Sequence, residues 1–151
     1  MTIPTVQDRR EILQRGADIL APVLVPHGFQ FGIVSSGSSS GGALAHGEFV
    51  RGDRRLELHF RFSLGLVTYH IGTLSLAHAD YMRALLGRSG GSHYPGFSDE
   101  PLVQFEALRQ DLVKHCSDFL AGTGEQFRHC VEQHRHYESL SPLQKMEFGA
   151  A

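Results

Sequence analysis

The chain has 151 residues, of which 41% are hydrophobic and 20% charged, and its formal net charge is −2. These values are typical of a single folded domain with an apolar core, and they exclude a disordered chain. The slightly acidic balance disfavours general nucleic-acid binding, which normally needs a basic face.

Membrane and secretory features are not evident in the sequence. No apolar run approaches the roughly 20 residues of a membrane span, and the N-terminal segment lacks the basic and apolar regions of a signal peptide. The two cysteines do not make a disulfide framework. We therefore expect a cytoplasmic protein without membrane association.

The first predicted elements are a helix and a strand. Apolar residues recur at helical spacing over residues 12–24, and Gly28 suits the end of that helix. A strand is predicted over residues 29–34. The Gly/Ser-rich segment 35–42 is predicted to be a loop.

Three successive strands are predicted near residues 44–51, 54–63 and 66–74. Gly52-Asp53 suits a type II′ hairpin turn, because glycine accepts the positive φ of the first central position. That turn pairs His46 with His59 and Glu48 with Glu57.

The second hairpin turn is predicted at Leu64-Gly65, which would pair His70 with His59 and Tyr69 with Phe60. Both hairpins then place apolar side chains on one sheet face, because side chains alternate along a strand. The members of this apolar face are Phe49, Leu56, Leu58, Phe60, Phe62, Val67, Tyr69 and Ile71.

Helical patterns follow the strands at residues 76–86, 101–122 and 123–137, and a Gly-rich loop separates the first two. The predicted fold is therefore α+β in a single domain over residues 1–151. It has an N-terminal helix, a four-stranded antiparallel meander and two to three C-terminal helices packed on the apolar sheet face. The tail 141–151 is expected to pack loosely.

The opposite sheet face, called the polar face below, collects His46, Glu48, Glu57, His59, Arg61, Thr68 and His70. Its simplest interpretation is the solvated outer surface of a two-layer domain. One alternative is a divalent metal site at His46, His59 and His70, with Glu48 or Glu57 as a carboxylate ligand. Another is acid–base catalysis by Glu48, Glu57 and His59, since two facing carboxylates repel and one would have a raised pKa.

The loop at residues 87–98 holds two further candidate binding residues, His93 and Tyr94. Aromatic side chains in a Gly-rich loop suit a binding surface, although Tyr94 could equally anchor the loop to the core. Cys130 and His134 share a helix face. With no second Cys/His pair at zinc spacing, Cys130 is interpreted as a buried structural residue.

The stretches ILAPVLVPHGFQF and GEFVRGDRRLELHFRF resemble small bacterial α+β proteins of the immunity or defence-accessory type. In those proteins a leading helix ends in a Gly-Phe step and continues into an antiparallel meander. The resemblance covers about half of the chain, carries over no functional residue and implies a protein-binding role. The element order also resembles a ubiquitin-conjugating fold, but no cysteine follows the sheet in the loop where conjugation would need it.

The sequence thus favours a non-enzymatic module without a cofactor that binds a protein partner. The predicted binding residues are His46, His59, Arg61, His70, His93 and Tyr94. The alternative is a metal-dependent or acid–base enzyme that uses the His/Glu residues of the sheet. Formation of a homo-oligomer stays open.

Overall fold

The computed structural model of the chain describes residues 6–39, 42–61, 64–87, 91–94 and 100–150. Over these residues the fold is α+β, with an N-terminal helix, an antiparallel sheet and C-terminal helices. The strands are β1 Gln30–Ser39, β2 Gly42–Arg51, β3 Arg54–Phe60, β4 Leu64–Ile71 and β5 Leu74–Ala77. The helices are α1 Val6–Leu24, α2 His78–Leu86, α3 Pro101–His115, α4 Ser117–Ala121, α5 Glu125–Ser139 and α6 Pro142–Ala150. A 3₁₀ turn, Val25–His27, follows α1.

The sheet has five strands in the described residues, in the order β1-β2-β3-β4-β5, and not the predicted four. The additional strand is β5, which lies within the sequence assigned to the end of the third meander strand and the start of a helix. Gly72 explains the difference, because it adopts a positive φ of 59° and reverses the chain between Ile71 and Leu74.

The predicted loop at residues 35–42 is largely strand. β1 continues to Ser39 and pairs with the start of β2, and residues 40 and 41 lie outside the described residues. Serine and glycine have low strand propensity, but pairing with β2 overrides it. The register shifts between Ile33 and Ser35, where Val34 forms a bulge.

The first hairpin has the predicted register. His46 pairs with His59, Glu48 with Glu57, and Arg51 with Arg54. Gly52 has a φ of 57°, and no non-glycine residue that the structure describes has a positive φ. This combination fits the type II′ turn, in which only the first central residue has positive φ.

The predicted register of the second hairpin is wrong by four residues. Tyr69 pairs with Leu56 and not with Phe60, and His70 pairs with Arg55 and not with His59. Phe60 pairs with Leu64, and the register also shifts between Leu58 and Phe60. Because the error is an even number of residues, the side chains of residues 54–58 and 67–71 keep their predicted faces. Phe62, which was also predicted on the apolar face, lies outside the described residues.

The core lies between the inner face of the sheet and the helices. Side chains of β3 alternate between buried and half-buried along the whole strand. Leu56, Leu58 and Tyr69 from the sheet pack in one cluster with Phe105 and Leu112 of α3. α1 approaches α3 closely because Gly16 has no side chain, and a Cβ atom there would lie 2.4 Å from the Phe105 ring.

Two arginines beside the Gly52-Asp53 turn connect the first hairpin to the helical layer. Arg54 is buried and donates hydrogen bonds to the carbonyl oxygens of Asp118, Phe119 and Gly122 at 2.6–2.8 Å. Arg51 donates to the carbonyl oxygens of His27 and Leu120. These bonds bring charged donors to carbonyl groups at helix ends, where few intrahelical donors remain.

Candidate functional site

The centre of the polar face is a group of three histidines around one carboxylate, called the His–Glu cluster below: His46, Glu57, His59 and His70. Glu57 lies between the others because His59 is two residues along β3, while His46 and His70 are diagonal neighbours on the adjacent strands. The alternation of β2, β3 and β4 therefore positions all four side chains on the outer face.

Each oxygen of Glu57 contacts a different part of the cluster. Oε2 lies 3.0 Å from Nε2 of His46 and 3.3 Å from Nε2 of His59. Oε1 lies 2.8 Å from Nε2 of His70. The imidazole rings of His46 and His59 are stacked, with centroids 4.1 Å apart and planes 12° from parallel. His70 is thus separated from the other two histidines by the carboxylate.

The histidines determine the protonation of Glu57. Burial by itself would raise the pKa of this carboxyl group, but hydrogen bonds from His70 and His59 and the histidine charges outweigh burial, so the pKa lies below its usual value. Glu57 is therefore the carboxylate acceptor of the cluster.

The pKa of His46 is lowered, first by desolvation and then by the neighbouring His59, while Glu57 and Glu48 oppose this in part. Its Nε2 atom is enclosed and lies 3.0 Å from Oε2 of Glu57.

The raised pKa expected for one carboxyl group of the facing Glu48–Glu57 pair is not found at Glu57, whose pKa is lowered. Glu48 has its own partner, since Nε of Arg55 lies 3.3 Å from its Oε2 atom, and Glu57 is surrounded by histidines. Each carboxylate thus has a neighbour that opposes their mutual repulsion.

Two concave regions flank the cluster. A pocket of about 280 Å³ is bordered by His59 and Arg61 and has an apolar wall that includes Leu44, Ala45 and Leu66. A groove of about 580 Å³ follows β1 and β2 past Gly32 and Glu48. The glycine deepens the groove, because nothing lies within 4 Å of the position that a Cβ atom would occupy there.

The structure places the other two predicted binding residues in a separate network around Asp111 of α3. This carboxylate has no solvent exposure. It accepts hydrogen bonds from the backbone amides of His93 and Tyr94, from Ser92 Oγ and from Nε2 of His78. The pKa of Asp111 is far below its usual range, because these donors outweigh the burial that alone would raise it.

The network continues inward from His78. Its Nδ1 atom lies 2.8 Å from the hydroxyl of Tyr69, and Sγ of Cys116 lies 3.8 Å from the same hydroxyl. With Nε2 of His78 donating to Asp111, Nδ1 accepts from Tyr69, which in turn accepts from the thiol. Burial raises the pKa of Cys116 to about 12, so this cysteine is a packed thiol and not a nucleophile.

Tyr94 anchors its segment to the sheet, which is one of the two roles that its sequence context allows. Its hydroxyl donates towards the carbonyl oxygens of Leu64 and Gly65. His93 holds Asp111 through its amide and, at 3.2 Å, through Nδ1. Both residues thus support the short segment 91–94 and do not join the His–Glu cluster.

The sequence reasoning missed the Asp111 network. The available signal was a charged residue on a largely apolar helix face, since buried Phe105, Leu108 and Asp111 recur at helical spacing. No sequence pattern marked His78, because its hydrogen-bond partners lie on other elements, β4 and α3.

No protein-family model, no curated protein and no solved structure was found to match this chain. The fold and the site define a two-layer α+β protein with a His–Glu cluster on the open face of its sheet. Within the described parts of the chain, no helix combines the length and apolar character needed to cross a membrane.

Proposed function

We propose that this protein is a non-enzymatic binding module that recognises a protein partner through the polar face of its sheet. The observation that carries the proposal is the two-layer architecture. The helices pack on the apolar face of the sheet, and among the residues that the structure describes no element covers the polar face.

The side chains of that face suit a protein surface. Ion pairs such as Arg55–Glu48 lie beside exposed aliphatic residues, with Leu66 54% exposed and Val50 36% exposed. A mixture of organised charges and exposed apolar groups is typical of non-obligate protein interfaces.

The pocket beside the cluster can receive one side chain of a protein partner. Its volume is about 280 Å³, and its wall is mostly apolar. We therefore propose that an apolar side chain of the partner enters between Leu44 and Leu66, while an acidic group next to it contacts Arg61.

The test compares partner binding by the wild-type chain and by two polar-face variants, Leu66→Asp and Arg61→Glu. Val113→Asp on α3 is the matched control, because Val113 is 58% exposed but belongs to the helical layer. Proteins captured from the native host are identified by mass spectrometry, and affinities of the recombinant partner are then measured by calorimetry.

We expect one partner that binds the wild type and the control equally and binds each polar-face variant at least about tenfold more weakly, a loss of about 1.4 kcal/mol. Thermal melting verifies that each variant is folded. A partner that retains its affinity for both variants would refute the proposed surface.

A further inference from the structure

We propose that His46, Glu57 and His59 form a binding site for a divalent transition metal of the zinc class, with one coordination position open to solvent. Each residue offers one ligand atom, and the three atoms lie within 4.8 Å of one another. The inference goes beyond the proposed protein-binding role and does not depend on it.

The spacing of the donor atoms is close to that of a tetrahedral site. Metal–ligand bonds of about 2.0–2.2 Å place adjacent ligand atoms roughly 3.3–3.6 Å apart. Glu57 Oε2 already lies 3.0 Å from one imidazole nitrogen and 3.3 Å from the other. The two distances from the carboxylate oxygen are therefore already close to those of a tetrahedral site.

The nitrogen of His46 is enclosed and faces the carboxylate of Glu57. Its Nε2 atom lies 3.0 Å from Glu57 Oε2, so an ion bound by both atoms would replace one contact by two metal–ligand bonds. The site is accessible, because the His59 side chain is 40% exposed.

His70 completes the site from outside the ligand set. It contacts Oε1 of Glu57 at 2.8 Å and so fixes the carboxylate with Oε2 directed at the other two histidines. Carboxylate ligands of metals are normally held in this way by a second hydrogen-bonding residue. The sequence-based alternative placed all three histidines among the ligands, whereas the geometry leaves His70 outside the ligand set.

Ligand chemistry selects the metal. Two imidazoles and a carboxylate suit Zn²⁺ and its neighbours among the first-row transition metals, while Mg²⁺ and Ca²⁺ require oxygen ligands. Three protein ligands leave a position for water or for a ligand from another molecule.

Metal binding must break the ring stack of His46 and His59. Each ligand nitrogen has to direct its lone pair at the ion, and two nearly parallel rings 4.1 Å apart cannot both do so. One imidazole therefore turns when the ion enters. This movement gives a structural signature that adventitious binding elsewhere on a chain with 10 histidines would not produce.

The experiment titrates Zn²⁺ into the untagged, chelator-treated full chain at pH 7.5, using calorimetry and two-dimensional NMR of the imidazole rings. We expect one equivalent of zinc per chain and shifts confined to the rings of the His–Glu cluster. His46→Ala and His59→Ala should each weaken binding by at least about 100-fold. His70→Ala should weaken it about 10–100-fold, as loss of a supporting residue does.

His129→Ala is the matched control, since His129 on α5 is a strongly exposed histidine whose nearest carboxylate, Glu132, is 3.9 Å away. It should bind zinc as the wild type does. Undiminished binding by folded His46→Ala and His59→Ala, or no stoichiometric binding by the wild type, overturns the proposal. X-ray absorption of the zinc-loaded wild type needs no variant, and fewer than two imidazole ligands would also overturn it. All these measurements omit any partner, so they stand apart from the test of protein binding.

Discussion

Asp111 is a charged side chain that the fold encloses completely. Burial of an isolated carboxylate is very unfavourable, so its charge persists only because several donors converge on it. Those donors come from α2 and from the segment 91–94. One residue of α3 therefore holds two distant parts of the chain in place.

The first prediction concerns the charge of Asp111. Its folded-state pKa lies below the unfolded value of about 3.8, so its stabilising contribution is present above that pH and is lost as the pH falls further. Asp111→Asn should lower the free energy of unfolding by at least about 2 kcal/mol at pH 7, because the amide nitrogen that replaces one carboxylate oxygen cannot accept hydrogen bonds from the buried donors. The difference from wild type should shrink between about pH 5 and pH 2.

Urea denaturation of both proteins across this pH range measures the effect. Glu57 also has a lowered pKa and contributes acid sensitivity of its own, but it does so in both proteins and cancels from the comparison. A difference that stays constant with pH would contradict the role assigned to the Asp111 charge.

The second prediction concerns the two cysteines, which are both free and buried. Burial raises the pKa of Cys116 to about 12 and that of Cys130 to about 11. At pH 8 neither is a thiolate, and the thiolate is the reactive form. Ellman's reagent should therefore find no rapidly reacting thiol in the native protein and both thiols in denaturant. Rapid native reaction of either would show that its burial is wrong.

At the scale of elements, the first hairpin is joined to the helical layer by arginine side chains as well as by apolar packing. Arg54 is directed inward between β3 and α4, while its neighbour Arg55 is directed outward to Glu48. The same residue type at adjacent positions thus has two different roles, because successive side chains of a strand lie on opposite faces.

The third prediction uses this adjacent pair as a matched comparison. Arg54→Met should destabilise the protein by about 2–3 kcal/mol, because three helix-end carbonyl groups lose a charged donor. Arg55→Met should cost less than about 1 kcal/mol, because Arg55 makes a half-exposed ion pair. Chemical denaturation of both variants tests this, and equal losses would contradict it.

The two hairpins also show what the sequence could predict about the sheet. Gly52-Asp53 identifies its turn type and position, so the first register followed residue by residue. Leu64-Gly65 has no such property, and the chain turns earlier with a register shift near His59. The composition of each sheet face was still predictable, because it depends only on alternation.

The candidate site was predictable only where it depends on the first hairpin. The membership of the polar face and the His46–His59 pair follow from the first hairpin. The central position of Glu57 does not, because it depends on the register of β4, which brings His70 to Oε1. The Asp111 network was not predictable, since its contacts join residues up to 33 positions apart in the sequence and follow no periodic pattern.

At the scale of the whole molecule, the sheet and the helices share one core. Fully buried residues of β3 and β4 form a single cluster with fully buried residues of α1, α3, α4 and α5. Neither layer buries its apolar face without the other. The two layers should therefore unfold together.

The fourth prediction tests this shared core from both sides. Leu58→Ala in the sheet and Leu112→Ala in α3 should each lower the free energy of unfolding by about 2–5 kcal/mol, because each leaves a cavity among packed side chains. Leu66→Ala is the control, since Leu66 is more than half exposed. Denaturation followed by near- and far-ultraviolet circular dichroism should give coincident transitions. Losses below about 1 kcal/mol at both core sites would contradict the assignment.

The bulge at Val34 has a consequence for behaviour at high concentration. The strand order places β1 at one edge of the sheet, where unpaired N–H and C=O groups can recruit an extended segment of another molecule. At the bulge those groups depart from regular spacing, and glycines at positions 32 and 37 weaken the strand further. The backbone N–H and C=O groups of a strand from a second copy would not line up with those of this edge. The bulge therefore opposes growth of the sheet into aggregates.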